Sequence, residues 1–198
     1  MLKAVEFIDF LNEGSSKCFV ALCNDKKKWV IRMKKKNKNS KRLFSEYLAG
    51  ILALKFGINH PKVQLVEVEN EVIEKLKSTE NIFELSCKLG VATKFIKKLR
   101  KLSPPLNINS NEFPKANFKY LKEFFPNKNQ IAQLYGMKVL SEWIVLKDFH
   151  KYENLLIDEN KKNYFLDFDL AFMSSDSNDW SLPDNYDWIK MSSHQAPF

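Results

Sequence analysis

The chain has 198 residues, of which 44% are hydrophobic, and it carries a formal net charge of +8. This length fits one domain or two small lobes that share a cleft, with enough apolar residues for a buried core. No run approaches the ~20 apolar residues of a membrane helix, and Glu6 and Asp9 interrupt the N-terminal segment, unlike a signal peptide. Three cysteines without metal-type spacing indicate reduced thiols and predict a cytoplasmic protein.

The positive charge is concentrated in residues 26–42, which contain ten Lys or Arg and no acidic residue. A solvated strand end with its loop is one interpretation of this segment, and a polyanion-binding surface is the other. Only Trp29 is interleaved with the basic residues, so base stacking and nucleic-acid binding are weakly supported.

The first half of the chain alternates strand-like and helix-like segments. SKRLFSEYLAGILALKFG, residues 40–57, repeats apolar residues near the helical period and predicts a helix that stops at Gly57. Short alternating runs on either side predict two strand pairs, at residues 17–23, 28–34, 63–68 and 71–76. Together these elements predict a small lobe made of a sheet and a helix.

The second half is predicted to be mostly helical. A helix is expected over residues 79–90, then a short extended piece, a loop over residues 103–114, and a long helix over residues 129–148. The fold class is therefore α+β, with an N-terminal lobe over residues 1–90, a minimal C-terminal lobe over residues 91–198, and a boundary within residues 76–100.

Polar residues flank a predicted hairpin whose turn is DENKKN, residues 158–163. Asp148 and Asn154 precede the first strand, and Asp167 and Asp169 lie inside the apolar run YFLDFDLAF. A buried carboxylate must be paired or bound to a metal, and carboxylate and amide oxygens suit Mg²⁺. In kinase-type phosphotransferases one Asp accepts the proton of the substrate hydroxyl, while an Asn and a second Asp hold Mg²⁺. The pattern therefore favours a kinase-like enzyme that uses ATP and Mg²⁺.

The sequence resembles the HipA-like kinases in their short, single-domain form. The resemblance covers residues 12–172 and rests on NEGSSK, WVIRMK, LFSEYLAGILALKFGINHPKVQLVEV, LSEWIVLKDFHKYENLLI and YFLDFDLAF in that order. It implies a bilobal protein-kinase-like fold and ATP-dependent phosphorylation of a Ser or Thr hydroxyl, on a protein substrate or on the chain itself. The best-known members are toxins that target aminoacyl-tRNA synthetases.

The resemblance also implies roles for residues that would contact the nucleotide. The loop over the ATP phosphates would be formed by Gly14, Ser15 and Ser16. Arg32 stands where the family has the strand lysine that grips the phosphates, and Lys34, on the same strand face, could substitute for it. Glu46 would be the acidic partner of that cation.

The resemblance assigns the remaining roles to the hairpin region. Asp148 would be the catalytic base, while Asn154 and Asp167 would bind the metal. The chain departs from the family where six steps separate Asp148 from Asn154 instead of five, and where Phe149 replaces an arginine.

Two further interpretations stay open. The chain could be a pseudokinase, which keeps the fold and acts as a nucleotide-binding or regulatory module without phosphotransfer. It could also be a metal-dependent nuclease or phosphatase that arranges Asp148, Asp167 and Asp169 around two ions. The protein substrate or regulatory partner is not identified by the sequence, and no membrane partner is expected.

Overall fold

The computed structural model describes residues 1–11, 18–34, 41–79, 83, 87–101, 127–146, 154–169 and 171–172. Within these ranges the chain is a mixed α+β protein. Its strands are β1 Leu2–Leu11, β2 Cys18–Cys23, β3 Lys28–Met33, β4 Val63–Val68, β5 Leu89–Lys94, β6 Arg100–Lys101, β7 Leu155–Ile157 and β8 Asn163–Phe165. Its helices are α1 Lys41–Lys55, α2 Asn70–Thr79 and α3 Lys128–Trp143. None of these helices is long and apolar enough to cross a membrane.

Five strands form a closed sheet in the order β1-β2-β3-β5-β4. Neighbouring strands are antiparallel, except that β1 pairs with β4 in parallel and so closes the barrel. Alternate side chains of β3 point inward, and Trp29, Ile31 and Met33 are buried in the barrel core. The same alternation turns Arg32 away from that core, because successive side chains of a strand face opposite sides.

A second core lies between α1, α3 and the hairpin of β7 and β8. Helix α1 contributes small residues to it, Ala49 and Ala53, so the neighbouring elements can approach the helix closely. From α3 and the hairpin come larger apolar side chains, namely Met137, Leu140, Ile144, Leu155, Phe165 and Phe168. Helix α1 thus packs against the segment that contains Asp167.

Most of the predicted elements are confirmed, including the strands at residues 17–23, 28–34 and 63–68 and the two longest helices. The predicted strand at residues 71–76 is wrong, because Asn70–Thr79 is helical. The buried residues Val72, Ile73 and Leu76 are spaced as on one helix face, and a six-residue run is too short to separate the two periods.

The predicted helix over residues 79–90 is also wrong at its C-terminal end, where Leu89 and Gly90 already belong to β5. Strand β1 was not predicted. Its pairing with β2 is shifted between Ala4 and Glu6 and again between Phe7 and Asp9, and such bulges break the two-residue alternation that identifies a strand. The loop predicted at residues 103–114 lies outside the described residues. The division into lobes near residue 90 stays a prediction.

Candidate active site

Arg32 lies near the end of β3, where a glycine on the neighbouring strand allows close approach. A Cβ atom at Gly90 would lie 2.7 Å from the Arg32 carbonyl oxygen, so only glycine fits there without a shift of the backbone. Gly90 pairs with Met33 in the β3–β5 register, and Val91 pairs with Arg32. The backbone that carries the Arg32 side chain is therefore fixed by tight strand packing.

The Arg32 guanidinium joins two carboxylates from distant parts of the chain. Its Nη1 donates to Oε2 of Glu46 at 2.6 Å and to Oδ1 of Asp167 at 3.1 Å. The Glu46 side chain is 3% exposed, that of Arg32 is 21% exposed and that of Asp167 is 34% exposed. The cluster therefore has a buried end at Glu46 and a solvent-accessible end at Asp167, where a ligand can enter.

The charges of this cluster depend on one another. Burial alone would lower the pKa of Arg32, but Glu46 and Asp167 outweigh it and raise that pKa above its ordinary value. Burial raises the pKa of Glu46 to about 7, although the Arg32 charge opposes the shift. Arg32 thus stays protonated, and the negative charge of Glu46 is stabilised mainly by that neighbour.

The backbone around Asp167 is held in an unusual conformation by the same carboxylate. Asp167 has φ +66°, in the left-handed region that few residues other than glycine adopt, although Asp and Asn are enriched there. The next residue, Phe168, donates its backbone N–H to Oε2 of Glu46 at 3.0 Å. Backbone strain of this kind persists where the surroundings fix it, and it is concentrated at functional sites.

A second arginine contacts the same segment. Nη1 of Arg42 lies 3.6 Å from Oδ2 of Asp169, a side chain that is only 14% exposed. Arg42 and Glu46 are four residues apart on α1 and therefore lie on one face of the helix. Helix α1 thus holds the Asp167–Asp169 segment at two points, through Glu46 and through Arg42. The sequence alone did not indicate a partner for Asp169, although the four-residue spacing of Arg42 and Glu46 places two charged groups on one helix face.

His60 supports Phe168 from the other side. The His60 ring stacks on Phe168 with a centroid distance of 4.9 Å and an interplanar angle of 28°. His60 is 4% exposed, and among the described residues neither of its ring nitrogens has a hydrogen-bond partner. Burial lowers the pKa of His60 to about 4, so the ring is neutral at physiological pH.

Asn154 is brought next to the Asp167 segment by the hairpin. The pairing of Leu155 with Phe165 continues one step further, since the N–H of Leu166 donates to the carbonyl oxygen of Asn154 at 2.9 Å. Asn154 itself is 6% exposed. Two of the predicted metal ligands, Asn154 and Asp167, therefore lie at the same end of the hairpin.

The donor atoms of these two residues fit Mg²⁺, which prefers carboxylate and amide oxygens. Within the described part of the chain, Arg32 contacts Oδ1 of Asp167, and Oδ2 has no protein donor. No group of three His, Cys, Asp or Glu side chains with metal-binding geometry occurs among the described residues.

Of the remaining predicted site residues, only Lys34 is among the described residues. Asp148 and the loop residues Gly14, Ser15 and Ser16 lie outside the described residues. The residues on either side of positions 12–17 are described, and Leu11 pairs with Cys18. Burial raises the pKa of the Cys18 thiol, although the charge of Arg32 opposes the shift. Cys18, the first described residue after positions 12–17, thus lies close to Arg32. Lys34 follows β3 and is half-buried, and no ion pair joins it to another described residue.

The helix that leads toward Asp148 ends in a strained turn. Leu146 donates its N–H to Ser141 at 2.7 Å and Val145 donates to Glu142 at 3.3 Å, the two bonds of a Schellman motif. The left-handed position of this motif usually holds glycine, but here Val145 occupies it with φ +55°. Phe172 donates to the Ile144 carbonyl at 2.7 Å and returns the chain to this helix end.

A strand cation paired with a helix glutamate beside a hairpin aspartate is the arrangement of a kinase-type site. A family model described as HipA-like kinase matches residues 4–120. That match covers more than half of the chain, and the protein belongs to the HipA-like kinase family. The matched residues include Arg32 and Glu46 but end before Asn154 and Asp167.

The fold is similar to that of the Helicobacter pylori proinflammatory kinase CtkA. The two structures have a TM-score of 0.55 at 15% sequence identity, over 84% of this chain and 60% of CtkA. The chain therefore spans three fifths of the length of that structural neighbour. No curated protein has significant sequence similarity to the chain.

Proposed function

We propose that the protein is an ATP- and Mg²⁺-dependent phosphotransferase with a bilobal kinase-like fold, acting on Ser or Thr hydroxyls. The observation that carries this proposal is the contact of Arg32 with both Glu46 and Asp167, which are 14 and 135 residues away in the chain. Membership of the HipA-like kinase family and the likeness to a kinase fold support the proposal. The cleft would lie between the barrel and the second core.

Arg32 would bind the phosphates of the nucleotide. A guanidinium has five N–H donors in a planar fork, and Nη1 alone makes the contacts to Glu46 and Asp167. The other nitrogens of the fork make no hydrogen bond to a described carboxylate and would bind phosphate oxygens, which Arg binds in a bidentate manner. The loop at Gly14, Ser15 and Ser16 would cover these phosphates with its backbone N–H groups, and Lys34 is a second candidate cation.

Asn154 and Asp167 would hold Mg²⁺, and Asp148 would accept the proton of the attacking hydroxyl. When bound, the metal would neutralise charge on the transferred phosphoryl group. Asp167 would bind the metal through Oδ2, because its Oδ1 already contacts Arg32. Glu46 would keep Arg32 in place, since its carboxylate is buried and also accepts from Phe168.

Transfer of labelled phosphate from γ-labelled ATP to the chain or to a generic protein substrate tests this proposal. Asp148→Asn and Asp167→Asn should each reduce transfer by at least about a hundredfold. Asn is tolerated at the left-handed position of Asp167, so the second variant should fold. Glu71→Gln, at an exposed position in the first turn of α2, is the matched control and should transfer normally. Transfer that persists in both Asp variants would refute the roles assigned here.

A pseudokinase is the second candidate, and one contact favours it. Asp167 is bound by Arg32 at 3.1 Å, and an arginine replaces the lysine of the family at this position. A guanidinium stays charged at every accessible pH, so this contact would compete with metal binding by Asp167. This alternative predicts that the wild-type chain binds ATP without transferring phosphate at any Mg²⁺ concentration.

A further inference from the structure

Three large apolar side chains are exposed together at one end of the second core, and we call them the α3 patch. Phe56, just after α1, is 60% exposed, Val139 is 67% exposed and Trp143 is 46% exposed. The rings of Phe56 and Trp143 meet edge to face with centroids 5.5 Å apart. Val139 lies one helical turn before Trp143 on α3 and is directed away from the buried residues Met137, Leu140 and Ile144. Contiguous exposed apolar surface of this kind marks an interaction site.

We propose that the α3 patch is covered by the C-terminal segment of the same chain, residues 180–189. The described chain reaches Phe172, whose N–H donates to the carbonyl oxygen of Ile144 at 2.7 Å. Ile144 directly follows Trp143, so the described chain ends at Phe172 close to the patch. Eight extended residues span up to about 26 Å, whereas Val139 lies only about 6 Å from Trp143 along the helix. Residue 180 can therefore reach every part of the patch.

The composition of this segment matches the patch. Residues 180–189 read WSLPDNYDWI and contain two tryptophans, a tyrosine, a leucine and an isoleucine. Aromatic side chains bury large apolar areas and favour edge-to-face contacts of the kind that Phe56 and Trp143 already make. Packing of these side chains against the α3 patch is favourable, because it removes apolar surface from water.

Charge also favours this segment over a second copy of the chain. Residues 173–198 contain four Asp and one Lys. Lys55 is next to Phe56, Lys138 is next to Val139, and both are exposed. Helix α3 as a whole has two lysines and one glutamate. An acidic segment is attracted to this surface, whereas two copies of the patch would bring their lysines together.

Hydrogen exchange on the full-length chain tests the proposal. The amides of residues 180–189 should exchange at least about tenfold more slowly than in an unstructured peptide. Val139→Lys should abolish that protection while leaving α3 folded, because Val139 lies at the surface. Leu65→Lys is the matched control, since Leu65 is 44% exposed on β4 in the barrel. This control should leave the protection unchanged.

Three outcomes would overturn the inference. The amides of residues 180–189 could exchange freely in the wild-type chain, or they could stay protected in Val139→Lys. Alternatively, their protection could appear only at concentrations where light scattering detects a dimer that Val139→Lys dissociates. That last result would assign the patch to a second copy of the chain. None of these measurements requires nucleotide binding, so failure here is distinguishable from failure of the proposed function.

Discussion

Arg32 and Asp167 are 135 residues apart in the sequence and are joined by a 3.1 Å hydrogen bond between Nη1 and Oδ1. This bond connects the barrel to the segment that follows the hairpin. Glu46 accepts from both sides of the connection, from Nη1 of Arg32 and from the backbone N–H of Phe168. The position of α1 is thus coupled to that of Asp167 through one buried carboxylate.

Replacing Arg32 tests this coupling in the absence of any ligand. Arg32→Gln should lower the free energy of unfolding by roughly 3 kcal/mol, because it leaves the buried Glu46 carboxylate without its cation. Urea unfolding measures the change. Lys77→Gln is the control, since Lys77 pairs with Glu74 at 2.7 Å on the surface of α2, and such pairs contribute at most about 1 kcal/mol. Equal effects of the two substitutions would contradict the proposed coupling.

The Arg42–Asp169 ion pair can be tested by exchanging its charges. Arg42→Asp should bring like charges together, and adding Asp169→Arg should restore part of the lost stability. The coupling free energy from this double-mutant cycle should be about 0.5 kcal/mol and should fall at high salt, because Arg42 is 50% exposed. Strictly additive effects would show that α1 does not hold the segment through this pair.

His60 makes the stability of the fold depend on pH. Its pKa falls from 6.5 in the unfolded chain to about 4 in the folded one, so between these values the unfolded chain binds the extra proton. Stability due to this group is therefore complete above pH 6.5 and is lost as the pH falls toward 4, by up to about 3 kcal/mol.

His60→Phe keeps a ring against Phe168 and removes that titration. The difference in unfolding free energy between wild type and variant, measured from pH 7 to pH 4, should shift against the wild type as the pH falls. Other titrating groups, Glu46 among them, are present in both chains and cancel in the difference. A difference that stays constant over this range would show that the His60 ring is not buried in its neutral form.

Two glycines should respond to alanine in opposite directions. At Gly90 an added Cβ would lie 2.7 Å from the Arg32 carbonyl oxygen, whereas at Gly136 in α3 it would lie 3.7 Å from Ile58 Cγ1. Gly90→Ala should therefore destabilise the chain by about 1–3 kcal/mol. Gly136→Ala should stabilise it by roughly 0.5–1 kcal/mol. Thermal unfolding of both variants gives the two signs, and a neutral Gly90→Ala would mean that β3 and β5 are further apart at Arg32.

The sequence was sufficient for elements with a clear period and a clear end. The strands at residues 17–23 and 28–34 alternate between polar turns, and the helix at residues 40–57 combines apolar periodicity with a terminal glycine. It was insufficient for β1, where two bulges interrupt the alternation, and for α2, where six residues fit both periods. The helix predicted over residues 79–90 would end at Gly90, although a glycine can equally mark close contact between strands.

For the candidate site, the resemblance to a known family indicated which residues would lie together. The local sequence pattern did not. Glu46 and Asp167 were assigned from the resemblance, and the structure places both beside Arg32; their catalytic roles stay predictions. The contacts of Arg42 with Asp169 and of His60 with Phe168 were not foreseen. Both join residues more than 100 positions apart, and only tertiary packing brings such residues together.

A crystal structure with Mg²⁺ and a non-hydrolysable ATP analogue tests the central claim most directly. The proposal predicts that phosphate oxygens of the analogue lie within hydrogen-bonding distance of the Arg32 guanidinium, at about 2.7–3.2 Å. It also predicts Mg²⁺ between the phosphates, Asp167 and Asn154. A nucleotide bound elsewhere on the barrel, with the Arg32–Asp167 contact intact, would contradict the claim that these residues form a phosphotransfer site.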